Sequence, residues 1–362
     1  MNKNCPDKIM LRERGFTMIE MMVALTLSLV LLGAITYVVV NSNKSYNTTD
    51  SLARLQENAR FAMEFITRDL RRAGYMGCST DVDDIKSTLN GTAHGGGNVV
   101  GGASFTSFEG ADDIATGALW HPSGTAVSFT NAPISGSDAI TARYLDLNNP
   151  ISIQKEMPNE SAVLFVNSGH GLAAGDIITV TDCDGADIMQ LTNVNPGSGA
   201  DAGKDGLVHN SGSVSGISPG NSTQKLGRSY GPGAKVLRFL QFSYYVGTNA
   251  NNRRALFRVT PTGTEELVEG VENLQILYGE ATGSDRTPTK YSNASNVDLK
   301  WENVVSIRIG MLLSTVANTA DGQYGTDVDS GTFQVNGTDV TLPSERRMRK
   351  VFVSTILLRN LR

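Results

Sequence analysis

From Met21 to Val40 the chain runs twenty residues without a charge, enough for a helix to cross the ~30 Å hydrocarbon core of a bilayer. No other stretch constrains the fold as strongly, because the backbone of such a run can be satisfied in lipid only as a helix. Eleven of its residues are Leu, Ile or Val, which together favour insertion by about 3–7 kcal/mol. The apolar segment reaches back to Phe16, with Glu20 as its only charge. Lys3, Lys8, Arg12 and Arg14 precede it against Asp7 and Glu13, and a mostly neutral polar stretch, NSNKSYNTTDS, follows. That asymmetry predicts a cytoplasmic N-terminus with the bulk of the chain on the other side.

Three readings of this segment compete. A secretory signal peptide has a shorter apolar core and a small-x-small cleavage site behind it, which Val38-Val39-Val40-Asn41-Ser42-Asn43 does not offer. A plain anchor fits the length and leaves Glu20 unexplained. The third reading cuts before the run, between Gly15 and Phe16, where a small flexible residue suits a protease cleft beside the membrane. The motif Arg14-Gly15-Phe16-Thr17-Met18-Ile19-Glu20 followed at once by an apolar helix resembles type IV prepilins and their relatives. The resemblance implies removal of residues 1–15 by prepilin peptidase, methylation of the new Phe16 amine, and an inner-membrane precursor with a periplasmic head. It also implies that Glu20 pairs with the N-terminal amine of a neighbouring subunit's helix. A carboxylate at mid-span costs about 2.5–3.5 kcal/mol on insertion scales and less near an end, so insertion survives while the charge seeks a partner. Snorkelling of Glu20 to the lipid interface is the alternative.

Beyond the span, Leu52, Leu55, Ala59, Ala62, Ile66 and Ala73 recur at spacings of three and four, while Arg54, Glu57, Arg60, Glu64, Arg68, Asp69 and Arg71 fall mostly elsewhere on the wheel. This is an amphipathic helix with one stripe for a globular partner. No proline lies between Phe16 and Arg72, so one helix is expected from Phe16 to about Ala73, with Gly74 as its stop signal. Gly33 is its weakest helix former. The expected parts are a leader over 1–15, a membrane helix over 16–40, its periplasmic continuation over 41–75, and a head over 76–362.

Residues 81–135 and 195–233 are rich in Gly, Ser, Thr, Asn and Asp and read as long loops. Strand patterns cover 139–145, 162–166, 176–181, 236–246, 255–259, 271–278, 304–313 and 351–358; in 304–313 the alternation is that of a half-buried antiparallel strand. Strands after one long helix make the fold class α+β, a helix packed on an antiparallel sheet head with long Gly-rich loops. With the leader gone, Cys78 and Cys183 remain, an even pair that reads as one disulfide in an oxidising compartment. It would close a loop of about 105 residues and stabilise by up to ~4–5 kcal/mol in the chain-entropy picture; two buried free thiols are the alternative. The runs Arg71-Arg72-Ala73-Gly74-Tyr75-Met76-Gly77-Cys78, Thr181-Asp182-Cys183, Glu266 to Glu272 with Tyr278-Gly279, and Arg359-Asn360-Leu361-Arg362 are similar to the minor pilins of type IV pilus assembly, themselves similar to J-type pseudopilins of type II secretion. The length of the chain favours the pilus. The partners so implied are other minor pilins, the major pilin, the inner-membrane assembly platform and membrane lipid, in a complex that primes assembly at or near the filament tip.

Little else suggests chemistry. A net charge of −5 argues against general nucleic-acid binding, and the basic run Arg346, Arg347, Arg349, Lys350 reads as a solvated strand entrance, with contact to DNA during uptake or to lipid headgroups as the alternative. His94, His121, His170 and His209 have no ligand spacing, and no HExxH, Walker, GxGxxG or GxSxG motif occurs. No cofactor and no enzyme activity are expected. Asp182, Asp184 and Asp187, with Asp81, Asp83 and Asp84, are weak calcium candidates in acidic turns that match no EF-hand spacing. An adhesin-like binding module on a membrane stalk is the reading from a different class.

Overall fold

The computed structural model describes residues 15–75, 77, 84–90, 93–94, 97–98, 107–114, 117–124, 126–214, 217–260, 263–283, 285–315, 331–343 and 347–360. One helix, α1 (Met18–Arg72), dominates it. Its 55 residues span roughly 82 Å at 1.5 Å each. It starts two residues after the expected Phe16 because Thr17 stays extended and caps it, with Glu20 closing a capping box. At the other end Ala73 caps and Gly74 turns away at φ +79°. A side chain at Gly74 would meet the Ser107 hydroxyl at 2.7 Å and the Asn360 carbonyl at 2.8 Å, so only glycine fits.

Two large sheets build most of the head. The first contains β1 (Ile85–Ser87), β2 (Phe108–Ala111), β3 (Ala139–Leu145), β4 (Ile177–Asp182), β5 (Gly185–Gln190), β6 (Lys235–Thr248), β7 (Arg254–Thr260) and β8 (Gly263–Glu269), together with the two residues Ile151–Ser152. The long β6 is shared. Residues 235–238 pair with β4, 239–245 with β3, and 243–248 with β7. Every pairing is antiparallel except β1 with β5. The second sheet runs Lys290–Ser292, β9 (Val271–Glu280), β10 (Val304–Ser314), β11 (Arg349–Leu357), all antiparallel. The membrane-distal half of α1 lies on both sheets. Leu55, Ala59, Ala62, Ile66, Leu70 and Ala73 share one core with Ile140, Ala142, Tyr144, Phe242 and Tyr244 of the first and Leu274, Ile276, Ile307, Ile309 and Met311 of the second. A second core, built on Leu164, Val166, Ile178, Met189, Leu207 and Val236, lies under the small sheet Asn193–Pro196, Lys204–Val208, Leu164–Asn167.

Three expectations need correction. The Gly-rich stretches are not simply loops: β1 and β2 fall within 81–135, where Trp120 is fully buried, and Lys204–Val208, Gly212–Val214 and Ile217–Asn221 are strands within 195–233. Strand 304–313 is buried on both faces rather than one, because the hairpin Thr332–Val335 and Thr338–Thr341 lays Val335, Val340 and Leu342 over Leu312. Asp69, read onto the polar side of the helix, is completely buried.

Candidate functional site: the helix start and the helix clamp

The start of α1 is exposed. A side chain added at Gly15 would meet nothing within 4 Å, and Gly15 to Thr17 are non-helical. Phe16 is 86% exposed, so the Gly15–Phe16 bond lies in accessible backbone directly before the cap. The Thr17 amide and hydroxyl each donate to the Glu20 carboxylate at 3.1 Å, and the Glu20 amide donates back to the Thr17 hydroxyl at 3.3 Å. The carboxylate thereby satisfies a donor that a helix start leaves orphaned. Along the span, Thr26 donates to Met22 and Val23 carbonyls, Ser28 to Ala24 and Thr36 to Leu32. These hydroxyls therefore bring no unmet hydrogen bond into lipid. Large apolar side chains from Phe16 to Val40 are exposed throughout, and α1 is the single helix among the described residues long and apolar enough to cross a membrane. Nothing among the described residues buries that half.

The membrane-distal half is held by a buried polar clamp. Asp69 Oδ1 accepts from the Tyr144 hydroxyl at 2.8 Å, while Oδ2 accepts from the Tyr244 hydroxyl and from Arg258 Nη2 at 2.7 Å. Arg258 also lies 3.8 Å from the centre of the Phe242 ring, a stacking that suits its weakly hydrated guanidinium. Burial, then the Asp69 charge, push the Tyr144 and Tyr244 phenols well above their ordinary range, so both remain donors. A buried carboxylate is tolerable only when its lone pairs and charge are met in this way. The three partners come from β3, β6 and β7, which ties one helix residue to three strands. At the helix end the Gly74 amide donates to the Arg143 carbonyl at 2.9 Å. The Arg143 side chain is itself buried against Glu109 at 2.7 Å and Gln241 at 2.8 Å. Asn360 donates to the carbonyls of Arg71, Arg72 and Ala73 at 3.3–3.4 Å. Asn360 thus serves as a cap on the long helix.

Of the other sequence candidates, Cys183 sits in the turn between β4 and β5, and Cys78, Asp81, Asp83 and Arg346 lie outside the described residues. Asp182 and Asp184 face the same Arg228 at 3.3 and 3.5 Å. Asp187 is buried, accepting from Tyr230 at 2.7 Å and the Gly227 amide at 2.8 Å. Among the described residues no three such groups converge on a metal position. His170 pairs with Asp205 at 3.2 Å and His209 bonds the Ala162 carbonyl at 3.0 Å. Arg347 reaches Glu272 at 3.8 Å.

The clamp went unread in the sequence, although a signal was there. Asp69 falls three residues after Ile66 and four before Ala73, on the apolar stripe itself, where an unpaired acid does not belong.

An exposed apolar half-helix is thus continuous with a half bolted into a sheet-rich head. Residues 10–36 match the prokaryotic N-terminal methylation motif, and residues 243–360 match PilW, the type IV pilus-assembly protein W family. No curated protein matches the chain. The two matches, at opposite ends of the chain, support a type IV pilus minor pilin anchored in the inner membrane with its head in the periplasm; PilW is a family of structural pilins.

Proposed function

We propose that this minor pilin acts with other minor pilins to prime pilus assembly at or near the filament tip, and so supports twitching motility, adhesion or DNA uptake. Prepilin peptidase cuts between Gly15 and Phe16, the Phe16 amine is methylated, and Glu20 receives the amine of an adjacent subunit as the helix enters the fibre. The observation that carries this is the division of α1, whose first half offers a fully exposed apolar surface while its second half is clamped by Asp69. Such a surface is stable in lipid and equally so against neighbouring helices, which is what transfer from membrane to fibre demands. A Glu20–amine pair in low dielectric attracts more strongly than in water, with desolvation taking back part of the gain.

Glu20→Ala is the direct test. The variant is expected to remain membrane-inserted while piliation falls, and an unchanged pilus number defeats the reading. N-terminal mass spectrometry of the membrane form is expected to find a methylated Phe16; an N-terminus at Met1 refutes the processing step. The Cys78–Cys183 disulfide belongs to the same proposal. Its support is that Gly77 packs so near Thr181, two residues before Cys183, that an added Cβ would stand 3.0 Å from the threonine methyl.

A further inference from the structure

The two outer strands that flank the helix are treated differently. β8 ends the first sheet, and it carries Glu265, Glu266 and Glu269. Arg258, Asn249 and Arg253 hold these three acids, and a bulge breaks its register against β7. Charge and bulges are the devices by which a sheet edge is protected from adding a foreign strand. β11 ends the second sheet with no bulge and with charge only toward its two ends, leaving 351–358 uncharged. Its nine residues pair with β10 in unbroken register, with no proline and no acidic residue from Arg347 to Asn360. Among the described residues no strand pairs with its other side.

The hydrogen-bond phase of that edge is readable. The Leu358 amide donates to the Val305 carbonyl at 2.9 Å, and in an antiparallel ladder the bonded residues alternate. Ile356, Ser354 and Phe352 therefore bond inward to β10, and the amides and carbonyls of Leu357, Thr355, Val353 and Val351 point away from it. The side chains divide the same way. Phe352 and Ile356 pack into the helix core, whereas Val353 and Leu357 are 56% and 59% exposed on the opposite face. Lys350 and Arg359 stand exposed at the two ends of the strand.

We propose that β11 is a docking edge that accepts, by strand addition, an extended strand from the head of another pilin subunit. That strand carries apolar side chains opposite Val353 and Leu357 and acidic ones opposite Lys350 and Arg359. Main-chain bonds supply affinity in this mode, and alternate side chains supply selectivity. The basic ends select an acidic partner. A second copy of this chain is a poor occupant, because its own acidic edge is bulged and its glutamates are already held. The proposal rests on the minor-pilin reading and names the surface through which that reading operates.

Amide hydrogen exchange of the full-length protein in detergent micelles tests it, alone and with each purified pilin of the same pilus in turn. With one partner, the Val351, Val353, Thr355 and Leu357 amides are expected to slow at least tenfold, while Phe352, Ser354 and Ile356 stay protected in both states. The double variant Lys350→Glu with Arg359→Glu is expected to weaken that binding at least tenfold with an unchanged melting temperature. Thr355→Pro, which removes an outward amide and no ladder bond, is expected to do the same. Binding that protects other surfaces only, or no binding by any pilin, overturns the docking edge. Protection that appears on concentrating this chain alone assigns the edge to a second copy and overturns the partner named here. Piliation that depends on Glu20 while the edge amides stay unprotected defeats this proposal alone; piliation indifferent to Glu20 defeats the minor-pilin reading whatever the exchange shows.

Discussion

Asp69 shows how much one residue can hold. Its carboxylate meets two phenols and a guanidinium inside the core, so removing it leaves two buried phenols without their acceptor and Arg258 with only the more exposed Glu265. Asp69→Ala is expected to destabilise the protein by about 3–5 kcal/mol, the usual cost of breaking a buried pair from one side, measurable as a drop in the urea midpoint followed by circular dichroism. Asp138 works in the opposite sense. Burial, with Asp112 and Asp113 close by, pushes its carboxyl up to about 7 from 3.8, although the Ile276 and Asp113 amides donate to it. A folded-state pKa raised above the unfolded one means the native state binds the proton more tightly. Its contribution is fully present below about pH 4, is lost as pH rises through about 7, and is constant beyond. Asp138→Asn is expected to flatten the fall in melting temperature across that window; an equally steep fall in the variant refutes the assignment.

At the scale of elements, the junction between α1 and β3 sets where the helix stops. Gly74 combines a positive φ with contacts that leave no room for a methyl group. Gly74→Ala is expected to cost more than about 1 kcal/mol, read from chemical unfolding, whereas Gly33→Ala, whose added methyl would meet nothing within 4 Å, is expected to leave head stability unchanged. The proposed disulfide acts at the same junction. Denatured but unreduced mature protein is expected to give no thiol reaction, and two reactive thiols per chain refute the pairing. The strands divide by the kind of residue that builds them. Ala139–Leu145 was legible to the residue, since Ile140, Ala142 and Tyr144 alternate toward the helix. Phe108–Ala111 was not, because FEGA lacks β-branched residues and owes its place to Gly110, where any Cβ would run into the Tyr278 hydroxyl. Gly263–Glu269 was hidden by its glutamates, which this edge strand tolerates by pairing Glu265 with Arg258 of the neighbouring strand and Glu269 with Arg253 just before it.

For the whole molecule, one continuous helix joins lipid, fibre and head. Glu20→Ala is expected to separate insertion from assembly, with fractionation reporting the first and pilus counts by electron microscopy the second. What the sequence by itself determined is the part governed by local physics. A twenty-residue uncharged run, a proline-free stretch that stops at a glycine, and apolar spacings of three, four and two each dictate a conformation without reference to the rest of the chain. Tertiary structure alone decided which polar residues are buried and which edge is left open. A carboxylate such as Asp69 is stable in the core only because Tyr144, Tyr244 and Arg258 arrive there from strands 75 to 189 positions away, and a sheet edge exists only once every other strand has found its neighbour. Those outcomes are set by long-range partners, and the energy of a buried charge or an unpaired amide depends on the partner it meets in space.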